Sequence, residues 1–175
     1  GTLCSDPIEE GACGVASDGS SEFDTDNDGV LDNFPAYESN GSITARVYDT
    51  SGAEIGAPGD YFLAYVDDEL RGVGLANEVP IDLGNGYAFL TMIYANQDGE
   101  TLNFKFYDSN IGKIVDISET VQFVSDMTLG NVVTSWTATL VCDPESDDTA
   151  CDDVDADGVC DDVDDCVGTY DECGV

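Results

Sequence analysis

Histidine is absent from the 175-residue chain, and the basic residues are Arg46, Arg71, Lys105 and Lys113. Without histidine there is no His-based triad and no imidazole general base. Against 38 acidic residues, with a net charge of −34, these cations cannot form a basic patch. Nucleic acid is therefore excluded as a partner, and attraction to an anionic membrane surface is disfavoured. No apolar run approaches the ~20 residues of a membrane span, so direct membrane insertion is not expected. No signal peptide opens the chain, as expected of a mature protein or an excerpt of a longer one. The seven cysteines contain no C-x-x-C pair, which together with the missing histidine argues against zinc.

Aspartate is present in excess, in a particular register. "CDDVDADGVCDDVDDC", Cys151 to Cys166, holds eight aspartates in sixteen residues and no cation. Counted from Asp153, the acidic residues Asp153, Asp155, Asp157, Asp161 and Asp164 fall at loop positions 1, 3, 5, 9 and 12. Gly158 stands at position 6, and Val159 at position 7 offers a backbone carbonyl. Calcium takes about six to eight hard oxygen ligands, and loops of this spacing supply them; the glycine allows the sharp turn. The competing reading, a solvated acidic tail, does not account for the register or the interleaved cysteines.

A second copy lies in "DTDNDGVLDN", with Asp24, Asp26, Asp28, Asp32 and the carbonyl of Val30, and with Gly29 in the turn. Its position 12 is Pro35, so the last ligand must be Glu22, Asn33, Glu38 or water. No amphipathic helix follows either loop, which argues against a helix-loop-helix calcium site.

"DVDADGVCDDVDDC" resembles a thrombospondin type 3 repeat, D-x-D-x-D-G-x-x-D-x-x-D-x-C, closely over Asp153–Cys166 and in part over Asp24–Asp32. The resemblance implies irregular chain wrapped around calcium ions, stapled by disulfides, in an extracellular setting. It implies no enzyme.

The cysteine spacing carries its own signal. "CSDPIEEGAC" and "CDPESDDTAC" both hold eight residues between cysteines, begin near an Asp-Pro and end in Ala-Cys, and each precedes an aspartate loop. One unit used twice is the natural reading, pairing Cys4 with Cys13 and Cys142 with Cys151. Cys160, Cys166 and Cys173 remain; Cys160–Cys166 is the favoured pair, with Cys173 left for another chain or a partner beyond Val175. So many cysteines in an acidic chain point to an oxidising compartment.

Between the two acidic ends the composition changes. "SITARVYD" alternates Ile43, Ala45 and Val47 against Thr44, Arg46 and Tyr48, and "TLNFKFYD" places Leu102, Phe104 and Phe106 on one face. "YFLAYV", "LRGVGLA", "GYAFLTMIYA", "GKIVDIS", "VQFVSD" and "NVVTSWTATLV" complete about eight strand-like runs, bounded by turn formers such as "LGNG" and "NQDGE". The expectation is all-β: an Ig-like antiparallel sandwich over residues 36–141. Irregular, disulfide-stapled calcium segments would flank it over 1–35 and 142–175. "YFLAYVDDELRGVG", "GYAFLTMIYANQDGETLNFKFYD" and "IVDISETVQF" are similar to a β-sandwich module of large secreted proteins of the Bacteroidota. That likeness implies a surface multidomain protein and assigns no activity.

Candidate chemistry within the sandwich is weak. Asp67–Glu69 could be half of a glycosidase pair, but it sits at a predicted hairpin tip. Arg71 reads as tied to a structural carboxylate rather than to a ligand. Lys105 and Lys113 read as surface lysines rather than isopeptide donors, and Trp136 as core rather than a sugar platform. Asn40 in "NGS" matches an N-glycosylation acceptor, and Thr149 in "DTA" a bacterial O-glycosylation motif. The expected function is non-enzymatic. It is a calcium-stabilised structural module of a secreted extracellular fibre, stalk or adhesin, meeting copies of itself or neighbouring modules head-to-tail. The alternative is a carbohydrate-binding or adhesive accessory module with glycans as partners.

Overall fold

The computed structural model describes residues 13–144, and these contain no α-helix. Ten strands form: β1 Val15–Ala16, β2 Ser39–Tyr48, β3 Glu54–Ile55, β4 Tyr61–Val66, β5 Glu69–Glu78, β6 Tyr87–Ala95, β7 Thr101–Asp108, β8 Lys113–Gln122, β9 Thr128–Leu129 and β10 Trp136–Thr139. The hydrogen-bonded order is β1-β8-β7-β4-β5-β6-β2-β10, with β3 and β9 also on β2. This ribbon of strands folds over itself into two facing layers. β5 belongs to both: its first part pairs with β4, while Ala76–Glu78 pair with β6.

Alternation makes the sandwich. Leu102, Phe104 and Phe106 of β7 are buried, and Ile43, Ala45 and Val47 of β2 face them from the other layer. The ring of Phe62 stacks on Phe104 at 5.0 Å, and Phe89 meets Phe106 edge-on at 5.9 Å. Trp136 closes this core against Phe104 at 5.0 Å, as its sequence context suggested. Apolar area taken from water on this scale is the dominant favourable term in folding.

Three features depart from the expected arrangement. The sandwich is not wholly antiparallel, because β9 and β10 both run parallel to β2. Together they are one edge strand interrupted by residues 130–135. Asn131 ties that interruption together, its side-chain oxygen accepting the amides of Val133 and Thr134. The runs "GKIVDIS" and "VQFVSD" are not two strands; β8 is continuous from Lys113 to Gln122.

The cysteine pairing also differs. Cys13 and Cys142 are both in a disulfide, but with each other rather than with Cys4 and Cys151. The reason is register along β8. β1, two residues after Cys13, pairs with Ile114 and Lys113. Leu140 bridges Ile117 on that same strand, and the Val141 amide donates to Asp116 O. Both ends of the sandwich thus arrive at one strand, with 5.7 Å between the two cysteine Cα atoms. Cys4, Cys151, Cys160 and Cys166 lie outside the described residues.

Of the N-terminal stretch, the part from residue 13 to 35 packs against the sandwich. It covers the outer face of the β4–β5–β7 layer, where Tyr61, Leu63, Val73 and Tyr107 form a second small core with Phe23. The Phe23 ring meets Tyr61 at 5.0 Å and Tyr107 at 5.1 Å, both edge-on. The chain divides after Pro144.

Candidate metal centre

The aspartate loop at residues 24–32 rests on this outer core. A single 3-10 turn, Ser20–Glu22, leads in, and the Asp24 amide donates to Ser20 O at 2.8 Å. Phe23 before the loop and Leu31 within it are both buried, so the loop is pinned by apolar anchors at two points. Between them the chain coils through two left-handed residues, Asn27 at φ 57° and Gly29 at φ 76°. Asn and Gly are the residues that adopt this conformation most readily. A β-carbon on Gly29 would also stand 3.3 Å from the Leu75 side chain.

Asp24 is fully buried. It accepts hydrogen bonds from the Tyr61 hydroxyl at 2.9 Å, the Gly29 amide at 2.8 Å and the Asp28 amide at 3.3 Å. A carboxylate has about four acceptor positions, so lone-pair capacity remains. Asp26 and Asp28 are exposed, and one oxygen from each of Asp24, Asp26 and Asp28 lies within 4.8 Å of the others. Partial desolvation, and then the charge of Asp28, push the Asp26 carboxyl above its ordinary value. Burial, followed by the hydrogen bond to Asp24, pushes the Tyr61 phenol upward as well, so it stays a protonated donor. Three carboxylates held together, one of them buried, form an arrangement that a cation would relieve.

These three residues are the ones the spacing placed at positions 1, 3 and 5. Asp32 is not gathered with them; its carboxylate is taken by Thr25, through the hydroxyl at 2.8 Å and the amide at 3.3 Å. Val30 lies at the edge of an open depression that Thr25, Asp26, Asp28, Leu31, Asp32 and Phe34 also line. Glu22, a candidate for the last ligand, instead accepts from the Ser17 hydroxyl and the Asp18 amide. The second loop, Asp153, Asp155, Asp157, Val159, Asp161 and Asp164, lies outside the described residues, as does Thr149. Asn40 is exposed on β2.

The donor set is all oxygen, which suits a hard cation such as calcium or magnesium rather than a thiolate-loving metal. Sequence reasoning missed Tyr61, the phenol beneath the loop. The only signal for it was the apolar character of Phe23 and Leu31, which requires the loop to sit on something.

The remaining candidates fall on a turn and on paired strands. Asp67 and Asp68 form the β4–β5 turn, with Asp67 at φ 52°. Arg71 holds Glu100 through two hydrogen bonds of 3.1 Å. Lys105 pairs with Asp116 across β7 and β8 at 2.6 Å on the surface. Among the described residues, no helix is long and apolar enough to cross a membrane. Comparison with protein-family models, with curated proteins and with solved structures found no match.

Proposed function

We infer that this chain is a calcium-stabilised structural module of a secreted, extracellular fibre, stalk or adhesin, and that it is not an enzyme. One observation carries the reading: the Asp24–Asp26–Asp28 cluster, built on a buried carboxylate and anchored to the sandwich through Tyr61. Asp24, Asp26 and Asp28 would hold the ion. Calcium is the chosen cation because the loop spacing and glycine turn follow the calcium pattern. The ion would neutralise the cluster and lock the N-terminal arm to the outer core. Copies of the chain or neighbouring modules, in head-to-tail succession, are the partners this role requires.

Thermal melting in millimolar calcium and in chelator tests the reading, with magnesium as a control. Ligand at 100 times its dissociation constant adds about 2.7 kcal/mol by linkage. A higher melting point in calcium, reduced in Asp26→Asn, is expected. An unchanged transition with no bound ion would remove the calcium reading.

A second reading, a carbohydrate-binding adhesive module, is favoured by one surface feature. Phe34 is 44% exposed beside the loop, and its ring lies 5.5 Å from that of Tyr94. Tyr37 stacks on the same tyrosine.

A further inference from the structure

The disulfide joins residues separated by 129 positions, and all ten strands lie between them. Cys13 and Cys142 bracket the strands, and with their Cα atoms 5.7 Å apart the chain enters the sandwich and leaves it at nearly the same place. The noncovalent elements at that point are slight. β1 contributes only two paired residues to β8, and β10 only four to β2. Hydrogen-bonded stretches this short, even with the Leu140–Ile117 bridge beside them, are weak next to a covalent bond. The covalent bond stands in parallel with them and closes the path first.

We propose that Cys13–Cys142 is a load path: tension along the chain crosses from residue 13 to residue 142 through the sulfur–sulfur bond and bypasses the sandwich. The sandwich rides beside the line of force. The sandwich then contributes no extension while oxidised, and its outer face and the loop at residues 24–32 keep their geometry under load. Opening the bond places the sandwich in series with the flanking segments and makes the same chain extensible. The geometry holds with or without an ion in the loop, so the proposal stands apart from the calcium reading.

Force spectroscopy on the full 175-residue chain, held by handles at its two ends, tests this. Releasing 129 residues at ~3.3–3.6 Å each gives a step of roughly 430–460 Å. The oxidised chain is expected to show no step of that length at forces that unfold β-sandwiches. The same folded chain is expected to show it once a dithiol is added, and so is the Cys13→Ser, Cys142→Ser variant. Handles moved to exposed Ser51 and Gly99 put load through the sandwich and should unfold it even when oxidised. The long step in the oxidised chain, or its absence after reduction, would overturn the proposal. Peptide mapping without reductant is a second measurement. A Cys13–Cys142 cross-linked peptide supports the load path, and a Cys4–Cys13 peptide sinks it.

Discussion

Arg71 occupies a bulge in β5: Ala64 faces Gly72 and Tyr65 faces Leu70, so Arg71 has no partner across the ladder. Bulges re-aim a side chain. Here the guanidinium turns back over the Tyr37 ring, 4.8 Å from its centroid, and reaches Glu100. Those hydrogen bonds hold the Glu100 carboxyl below its ordinary value of 4.5, against a smaller opposing effect of burial. A carboxyl with a lowered folded pKa contributes stability above its unfolded pKa. That contribution is lost as pH falls through the lowered folded value. Glu100→Gln should therefore reduce the urea midpoint near neutral pH, and the gap to the native protein should narrow below about pH 4.5. An equal gap at both pH values would mean that charge at Glu100 contributes nothing. That Arg71 meets a structural carboxylate was legible, since a cation in an apolar strand needs one. Which carboxylate was not, because Glu100 comes from a turn 29 residues away.

At the scale of single elements, β5 is the least ordinary strand. Gly72 and Gly74 point to the inside, opposite Ala64 and Phe62, and lie against the β6 backbone. A β-carbon on Gly74 would fall 2.0 Å from Thr91 Oγ1 and 3.1 Å from Leu90 O. Overpacking of this kind costs ~1–3 kcal/mol, so Gly74→Ala should lower the urea midpoint despite removing a glycine from a strand. A midpoint equal to the native one would show that Thr91 can move aside. The alternation of β2 and β7 was readable from sequence because Ile43, Ala45 and Val47, and Leu102, Phe104 and Phe106, recur at every second residue and share the inner core. The glycines of "LRGVGLA" were readable as a strand but not as a crossing point, and the parallel direction of β9 and β10 left no local trace. Direction depends on where β2 lies, which no window of a few residues contains. The metal loop divides the same way: spacing revealed Asp24, Asp26 and Asp28, while the capture of Asp32 by Thr25 depends on how the loop coils.

For the molecule as a whole, the disulfide between Cys13 and Cys142 closes a ring around every strand of the described residues and so constrains the unfolded chain strongly. Loop-closure entropy for a ring of this size gives roughly 5 kcal/mol, an upper figure because unfolded chains retain structure. Cys13→Ser with Cys142→Ser should lose a few kcal/mol by chemical denaturation. A loss below about 1 kcal/mol would show that β1 and β10 already fix the ends, leaving the bond redundant at rest. The repeated eight-residue cysteine spacing was visible in the sequence and led to the wrong partners for Cys13 and Cys142, because ring size along the chain says nothing about which ends a fold brings together. β5 has a further consequence. Since it is hydrogen-bonded into both layers, neither layer is a separable leaf, and neither can lift away without tearing the other. A protease waiting for partial opening finds no loose half, so cuts within the paired strands are expected only once both layers open together, while exposed turns remain open to attack.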